Sequence, residues 1–172
     1  MAAEWCILYK AIFLDRDGLI NQQAPEHDYI KSWADFHFLP GVPEAVRKLN
    51  EAGYLVLVVT NQRGVARGMM TMEAVNEIHE TMCRELAEVG AHIHKVYVCP
   101  HESGTCNCRK PDIGLFLQAE QEFEIDKRES WMVGDSDSDV EAGRRYGVQT
   151  IKTQNLSSAV RQILGERQEC NV

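Results

Sequence analysis

No stretch of this 172-residue chain is apolar for long enough to cross a bilayer. Its first residues also lack the basic, then apolar, then small-residue order of an export signal. Those absences point to a cytoplasmic chain with no membrane partner. Cations are the next shortage. Lysine and arginine total 18 against 26 aspartates and glutamates, for a net charge of −8. No basic stripe is available to displace the counterions of a nucleic acid, so a polyanion partner is disfavoured. A small phosphorylated ligand is not excluded, because it needs only a few local cations or a metal. Internal repeats, low-complexity segments and linkers are missing too. Residues 1–172 therefore read as a single domain, long enough for a well-buried core.

What is present begins with six cysteines. In a reducing compartment they do not read as a disulfide framework. Cys6, Cys83 and Cys170 are scattered, and Cys6 and Cys83 fit small packing positions. Cys99, Cys106 and Cys108 fall within ten residues and enclose His101. Three potential thiolates and one imidazole match the ligand set of a tetrahedral structural Zn²⁺. The Cys-x-His and Cys-x-Cys spacings are tighter than the usual two-residue gaps, and a disulfide is the alternative.

The rest of the chain alternates strand and helix patterns. Short apolar or β-branched runs at 10–14, 54–59, 95–99, 130–133 and 148–151 read as strands. Amphipathic segments follow them. One starts at Val42 and stops before Gly53; the next starts at Thr71, with Val75, Ile78, Met82, Leu86 and Val89 as its buried stripe. Further helices are expected over 111 to about 124, around 140–146, and from a Ser157 or Ser158 cap to Leu164. Trp5, Ile7 and Leu8 are expected to pack on the sheet, Phe36 to Leu39 to be extended, and 21–32 to form a polar flap. The pattern implies an α/β fold, a central parallel sheet with helices on both faces.

Sorted by position, the polar residues gather at strand ends. Asp15 and Asp17 follow the first strand, Thr60 and Asn61 the second, the Cys/His loop with Arg109 and Lys110 the third, and Asp135 with Asp139 the fourth. In a parallel sheet these ends share one edge, where such folds bind ligands. Several carboxylates meeting there suit a hard cation such as Mg²⁺. Thr60 and Asn61 can donate to an oxyanion, and Lys110 supplies a compact positive charge. Such a group fits phosphoryl transfer.

Asp15-Arg-Asp17-Gly, Thr60-Asn61-Gln62, Arg109-Lys110-Pro111 and Gly134-Asp135 with Asp139 resemble the four ordered motifs of the haloacid-dehalogenase (HAD) superfamily of phosphatases. Within it, the chain is most similar to cap-less heptose bisphosphate phosphatases, with histidinol-phosphate phosphatases close by. The resemblance implies a three-layer Rossmann-like fold without a large cap domain. It implies Asp15 as nucleophile and Asp17 as acid and base. Thr60 and Lys110 would stabilise the transferring phosphoryl group, and Asn61 and Arg109 would bind substrate. Mg²⁺ would be held by Asp15, the Asp17 carbonyl and Asp135. It also implies Zn²⁺ on Cys99, His101, Cys106 and Cys108, in a loop that aims Arg109 and Lys110.

The implied activity is Mg²⁺-dependent hydrolysis of a small phosphorylated metabolite by a monomer, a sugar bisphosphate first and histidinol phosphate second. A nucleic-acid 3′-phosphate is disfavoured by the charge, and a non-catalytic zinc-stabilised binding domain is the reading from another class. Three departures bear on the substrate: only four residues separate His101 from Cys106, Ser136 stands where the family has lysine, and residues 21–29 do not follow the family's sugar-contacting segment. Asp139 can be a metal ligand or a helix-start residue. Arg16 and Arg63 are expected to be solvated or beside substrate, and Arg67 exposed. His27, His37, His79, His92 and His94 read as ordinary surface or core histidines.

Overall fold

The computed structural model describes residues 8–166. Five short strands form one parallel sheet: β1 (Ala11–Leu14), β2 (Leu55–Asn61), β3 (Lys95–Cys99), β4 (Trp131–Gly134) and β5 (Gln149–Lys152), in the order β3-β2-β1-β4-β5. The continuous apolar runs of β1 and β2 are buried on both faces because helices cover both sides. Alternation within β1 assigns each face. Ile12 and Leu14 pack with α1 (Val42–Glu51), α2 (Met72–Glu88) and α5 (Leu156–Leu164). Ala11 and Phe13 pack with α3 (Gly114–Glu120) and α4 (Asp137–Tyr146), where the Phe13 ring lies 4.7 Å from Phe116 and 5.6 Å from Tyr146. The result is the expected three-layer α/β sandwich.

Register brings the chemistry to one edge. Leu14 pairs with Val58 and Val133, and Asn61 with Cys99, so residues just past these positions leave the sheet side by side. β2 runs two residues beyond its expected end, which puts Thr60 and Asn61 in the ladder itself.

Several boundaries differ from expectation for local reasons. α3 starts at Gly114, because residues 109–112 close a turn in which Asp112 N–H donates to Arg109 C=O at 2.8 Å. Asn155, not Ser157 or Ser158, caps α5 by accepting from Ser158 N–H. Val89 is 56% exposed, since α2 ends one residue earlier. Leu8 is 62% exposed instead of packed, while Trp5, Ile7, Cys6 and Cys170 lie outside the described residues. Trp33–Asp35 form a 3₁₀ turn just before the extended segment, which is extended at Phe36 and bridges Asn21 at Phe38, and Trp33 stacks on Phe36 at 4.7 Å. Among the described residues no helix is long and apolar enough to cross a membrane.

Candidate active site

The centre of the site is an ammonium. Lys110 is 3% exposed, and its Nζ donates to Asp15 Oδ1 at 2.7 Å and to Val59 C=O at 2.7 Å. Asp139 Oδ1 lies 2.6 Å from the same Nζ, an ion-pair contact off the hydrogen-bond axis. A buried lysine would ordinarily lose its proton more easily, but Asp15 and Asp139 outweigh the burial and raise its pKa. Asp15 goes the other way. Burial pushes its carboxyl up to about 7, helped by Asp139 and opposed by Lys110. Two carboxylates against one ammonium leave a surplus of negative charge. Asp135 is raised as well, by burial and by Asp139.

Asp17 stands in a different field. Arg16 Nη2 donates to both its oxygens at 2.8 and 3.0 Å, Arg16 Nε to Oδ1 at 3.1 Å, Asn21 Nδ2 to Oδ1 at 2.9 Å and Gln62 Nε2 to Oδ2 at 2.8 Å. Burial alone would raise this carboxyl, but these donors overcome it and hold Asp17 below the usual carboxylate range. Two neighbouring aspartates are thus driven apart by their environments.

Arg16 therefore corrects the sequence-based expectation. It is neither solvated nor beside open space: it is fully buried, clamped on Asp17 and backed by His79 Nε2 at 3.0 Å from its Nη1. Gln62 was missed. It is buried and bridges Asp17 to Thr60 Oγ1, which accepts from Gln62 Nε2 at 2.9 Å. The signal was its place two residues after Thr60, past a strand end. Gln23 of the flap was missed too, and its amide donates to Asp135 Oδ2. Asn61 uses both ends of its amide on the Lys110 peptide, accepting from its N–H at 3.1 Å and donating to its C=O at 3.2 Å. Arg109 is half-buried, and its Nη1 has no partner among the described residues. Asp17, Asn61 and Gln62 line one wall of a 220 Å³ cavity; Gln23, Ala24, Asp28, Tyr29 and Ile30 of the flap line the other. Arg67 is half-exposed and, with Arg63, pairs with Glu102 of the Cys/His loop.

Two groups of side chains fit metals. Carboxylate oxygens of Asp15, Asp135 and Asp139 lie within 4.8 Å of one another. These are hard donors of the kind Mg²⁺ takes, and the raised carboxyls of Asp15 and Asp135 are short of positive charge. Lys110 contacts both Asp15 and Asp139, but Asp139 alone is also engaged in a capping box with Ser136 at the start of α4. That leaves Asp15 and Asp135 as the side chains best able to face a cation. Cys99, His101, Cys106 and Cys108 form the second group. Four of the contacts among their sulfur and Nδ1 atoms measure 3.2 to 3.6 Å, all four atoms lie within 4.8 Å of one another, and none of the cysteines is in a disulfide. A tetrahedron with about 2.3 Å metal–sulfur arms has edges slightly under 4 Å, so the cluster fits zinc. Burial pushes the Cys99 and Cys108 thiols up, which a bound cation would reverse.

Gly18 gives this site a steric test. Its φ is +87°, and a Cβ there would lie 2.3 Å from Asp135 Oδ2 and 2.7 Å from the Gln23 amide. Gly18→Ala is expected to displace Asp135 and raise the Mg²⁺ concentration for half-maximal activity by about tenfold or more. A magnesium titration of phosphate release checks it, and an unchanged midpoint would remove Asp135 from the cation site.

Comparison with known proteins agrees with this geometry. A curated Yersinia pestis protein, D-glycero-beta-D-manno-heptose-1,7-bisphosphate 7-phosphatase, is 42% identical over 148 residues, covering 81% of this chain and 77% of its own. A protein of the same name from Rhodopseudomonas palustris is 39% identical over 172 residues and covers 94% of each chain. The crystal structure of D,D-heptose 1,7-bisphosphate phosphatase from B. bronchiseptica, complexed with magnesium and phosphate, superposes with a TM-score of 0.78 at 30% identity. The match covers 92% of this chain and 99% of that one. A family model described as polynucleotide kinase 3 phosphatase matches residues 10–161. Matched over most of its length, with its carboxylates, lysine and threonine at one sheet edge, the chain belongs to the polynucleotide kinase 3 phosphatase family of HAD phosphatases.

Proposed function

We propose that the chain removes the 7-phosphate of D-glycero-D-manno-heptose 1,7-bisphosphate, with Mg²⁺, through a phosphorylated Asp15. The observation that carries the chemistry is the buried Lys110 ammonium, 2.7 Å from Asp15, with the donor-clamped Asp17 two residues on. A carboxylate attacks a phosphate only where the mutual repulsion is cancelled. Lys110 supplies one positive charge at the nucleophile, and Mg²⁺ on Asp15, the Asp17 carbonyl and Asp135 would supply the rest of the charge neutralisation.

In the first half-reaction an Asp15 oxygen forms a bond to phosphorus, and the ester P–O bond breaks. The leaving oxygen keeps that electron pair and takes a proton from Asp17. In the second, a water oxygen bonds to the same phosphorus, Asp17 recovers a proton from that water, and the Asp15–phosphorus bond breaks to release phosphate. The donors around Asp17 favour its ionised form in the resting site, which suits it to accept a proton from water; the phosphate anion of a bound substrate, a like charge beside it, would draw a proton onto Asp17 before the leaving oxygen departs. Thr60 and Lys110 face the transferring group, and Arg109 is the cation for the substrate. Asn61 helps by fixing the Lys110 peptide. Zn²⁺ on Cys99, His101, Cys106 and Cys108 would be structural, since four protein ligands leave no position for water.

The heptose is favoured by the names and coverage of the relatives, and a small substrate by the net charge of −8. The test is a panel: both anomers of the heptose 1,7-bisphosphate, histidinol phosphate, and an oligonucleotide 3′-phosphate. The heptose is expected to lead the others in kcat/KM by about a hundredfold or more, a margin of about 3 kcal/mol at the transition state. Equal or better turnover of histidinol phosphate or the oligonucleotide would overturn the substrate assignment.

A further inference from the structure

We propose that His79 of α2 is a positioning residue: it holds the Arg16 guanidinium so that Arg16 fixes the Asp17 carboxyl toward the leaving oxygen. This rests on Asp17 being the proton donor. Arg16 is the largest fully buried side chain among the described residues. A guanidinium is a donor only, and once buried its N–H groups need acceptors. One edge of it is satisfied by Asp17, through Nε and Nη2. Nη1 is directed at His79 Nε2, 3.0 Å away. Since arginine cannot accept, Nε2 must, which places the histidine proton on Nδ1. Burial and the neighbouring Arg16 push the His79 pKa down to about 3, so the ring stays neutral and Nε2 keeps its lone pair.

His79 is well placed to act as an anchor. It sits on the buried stripe of α2 with Val75, Ile78, Met82 and Leu86, a helical segment fixed against the sheet. A contact supported on such an element holds its geometry more closely than one supported on a loop. Packing alone would be served by leucine. What leucine lacks is an acceptor for Nη1. Without one, the guanidinium is expected to swing toward other partners and take the Asp17 carboxyl out of line, which matters because proton transfer depends on near-contact geometry. His79 also lines a 400 Å³ cavity with Asn76, Glu80, Cys83 and the edge-strand residues Lys95 and Val96, so a small molecule can reach its place from outside.

The test compares leaving groups. His79→Leu keeps the volume and removes the acceptor; His79→Gln keeps an acceptor. Each is assayed on p-nitrophenyl phosphate, whose leaving oxygen departs without needing a proton, and on a hexose 6-phosphate, whose alkoxide needs one. For His79→Leu, kcat/KM on the alkyl ester is expected to fall by about ten- to a hundredfold, through kcat and not KM, with less than about a threefold change on the aryl ester. His79→Gln is expected to restore most of the loss, as is millimolar imidazole added to His79→Gly. Equal losses on both esters, or none, would overturn the proposal. Asp17→Asn separates this from the underlying reading: it must itself hurt the alkyl ester more, and if it does not, the proton-donor role fails whatever His79 does.

Discussion

Asp15→Asn is expected to lose at least about 10⁴-fold in phosphate release while melting at a higher temperature than the parent in magnesium-free buffer above pH 7. The loss would follow from removing the atom that, in the proposed mechanism, bonds to phosphorus. The gain follows from the electrostatics of the resting site. Asp15 and Asp139 share one ammonium, and burial with Asp139 holds the Asp15 carboxyl at about 7, well above its unfolded value near 3.8. Between those two values the folded protein keeps a proton that the unfolded chain has released. Stability contributed by Asp15 therefore falls as pH rises through that window and stays low above it. Asparagine carries no charge to bury, and Lys110 keeps Asp139 and the Val59 carbonyl. The expected gain is about 2 to 4 kcal/mol at pH 8, or about 5–10 °C. Magnesium should then raise the melting temperature of the parent and leave Asp15→Asn nearly unmoved. A variant that melts lower than the parent, or that still responds to magnesium, would show that Asp15 is not the strained cation ligand described.

Where the sequence was legible, period and position carried the information. Continuous apolar runs ending in Asp, Thr or Gly-Asp mark strands covered on both faces, and the sheet edge follows once the strands are parallel. Asp15, Asp17, Thr60, Lys110 and Asp135 could be placed together on that ground alone. The residues misread are those whose role depends on a partner far along the chain. Arg16, between two aspartates, looks like a third solvated charge. Only the packing of α2, 63 residues later, shows that His79 closes its other side. Gln62 is uncharged and carries no periodic signal, yet it ties Asp17 to Thr60 across the site. For Asn61 the motif implies substrate binding; what the sequence does not show is its added contact with the Lys110 backbone, which depends on a loop whose path no local propensity dictates. The Asn155 cap was missed because three candidate cap residues, Asn155, Ser157 and Ser158, crowd the helix start, and only Asn155 is in extended backbone there.

The loop that carries Lys110 leads to the second large effect. Residues 100–110 contain no helix or strand, and few main-chain bonds tie them to the rest: Ala66 N–H to Pro100 C=O at 3.1 Å, Gly114 N–H to Asn107 C=O at 3.1 Å, and the Asn61 amide. Side chains add the Glu102 pairs with Arg63 and Arg67, which are partly exposed and of small energetic value. What converges in this segment is the Cys99, His101, Cys106 and Cys108 cluster, which would join the end of β3 to the residue just before Arg109. Structural zinc sites contribute about 10 kcal/mol or more in small peptides that fold only around the metal. Here a packed sheet is already present, so a smaller share is expected, about 3–5 kcal/mol, equivalent to a fall of about 10 °C or more in melting temperature. Cys108→Ser, or removal of zinc by a chelator followed by magnesium resupply, is expected to show that fall. Activity should drop by about a hundredfold or more, because Lys110 is placed by its loop and not by a helix or strand. Activity should be lost at temperatures where the far-ultraviolet circular dichroism is still native, since the loop can open without the sheet. Protein shown by metal analysis to be free of zinc, yet fully active with an unchanged melting temperature, would remove the metal from the account and leave Asn61 and the Nζ contacts with Asp15, Asp139 and the Val59 carbonyl to hold Lys110.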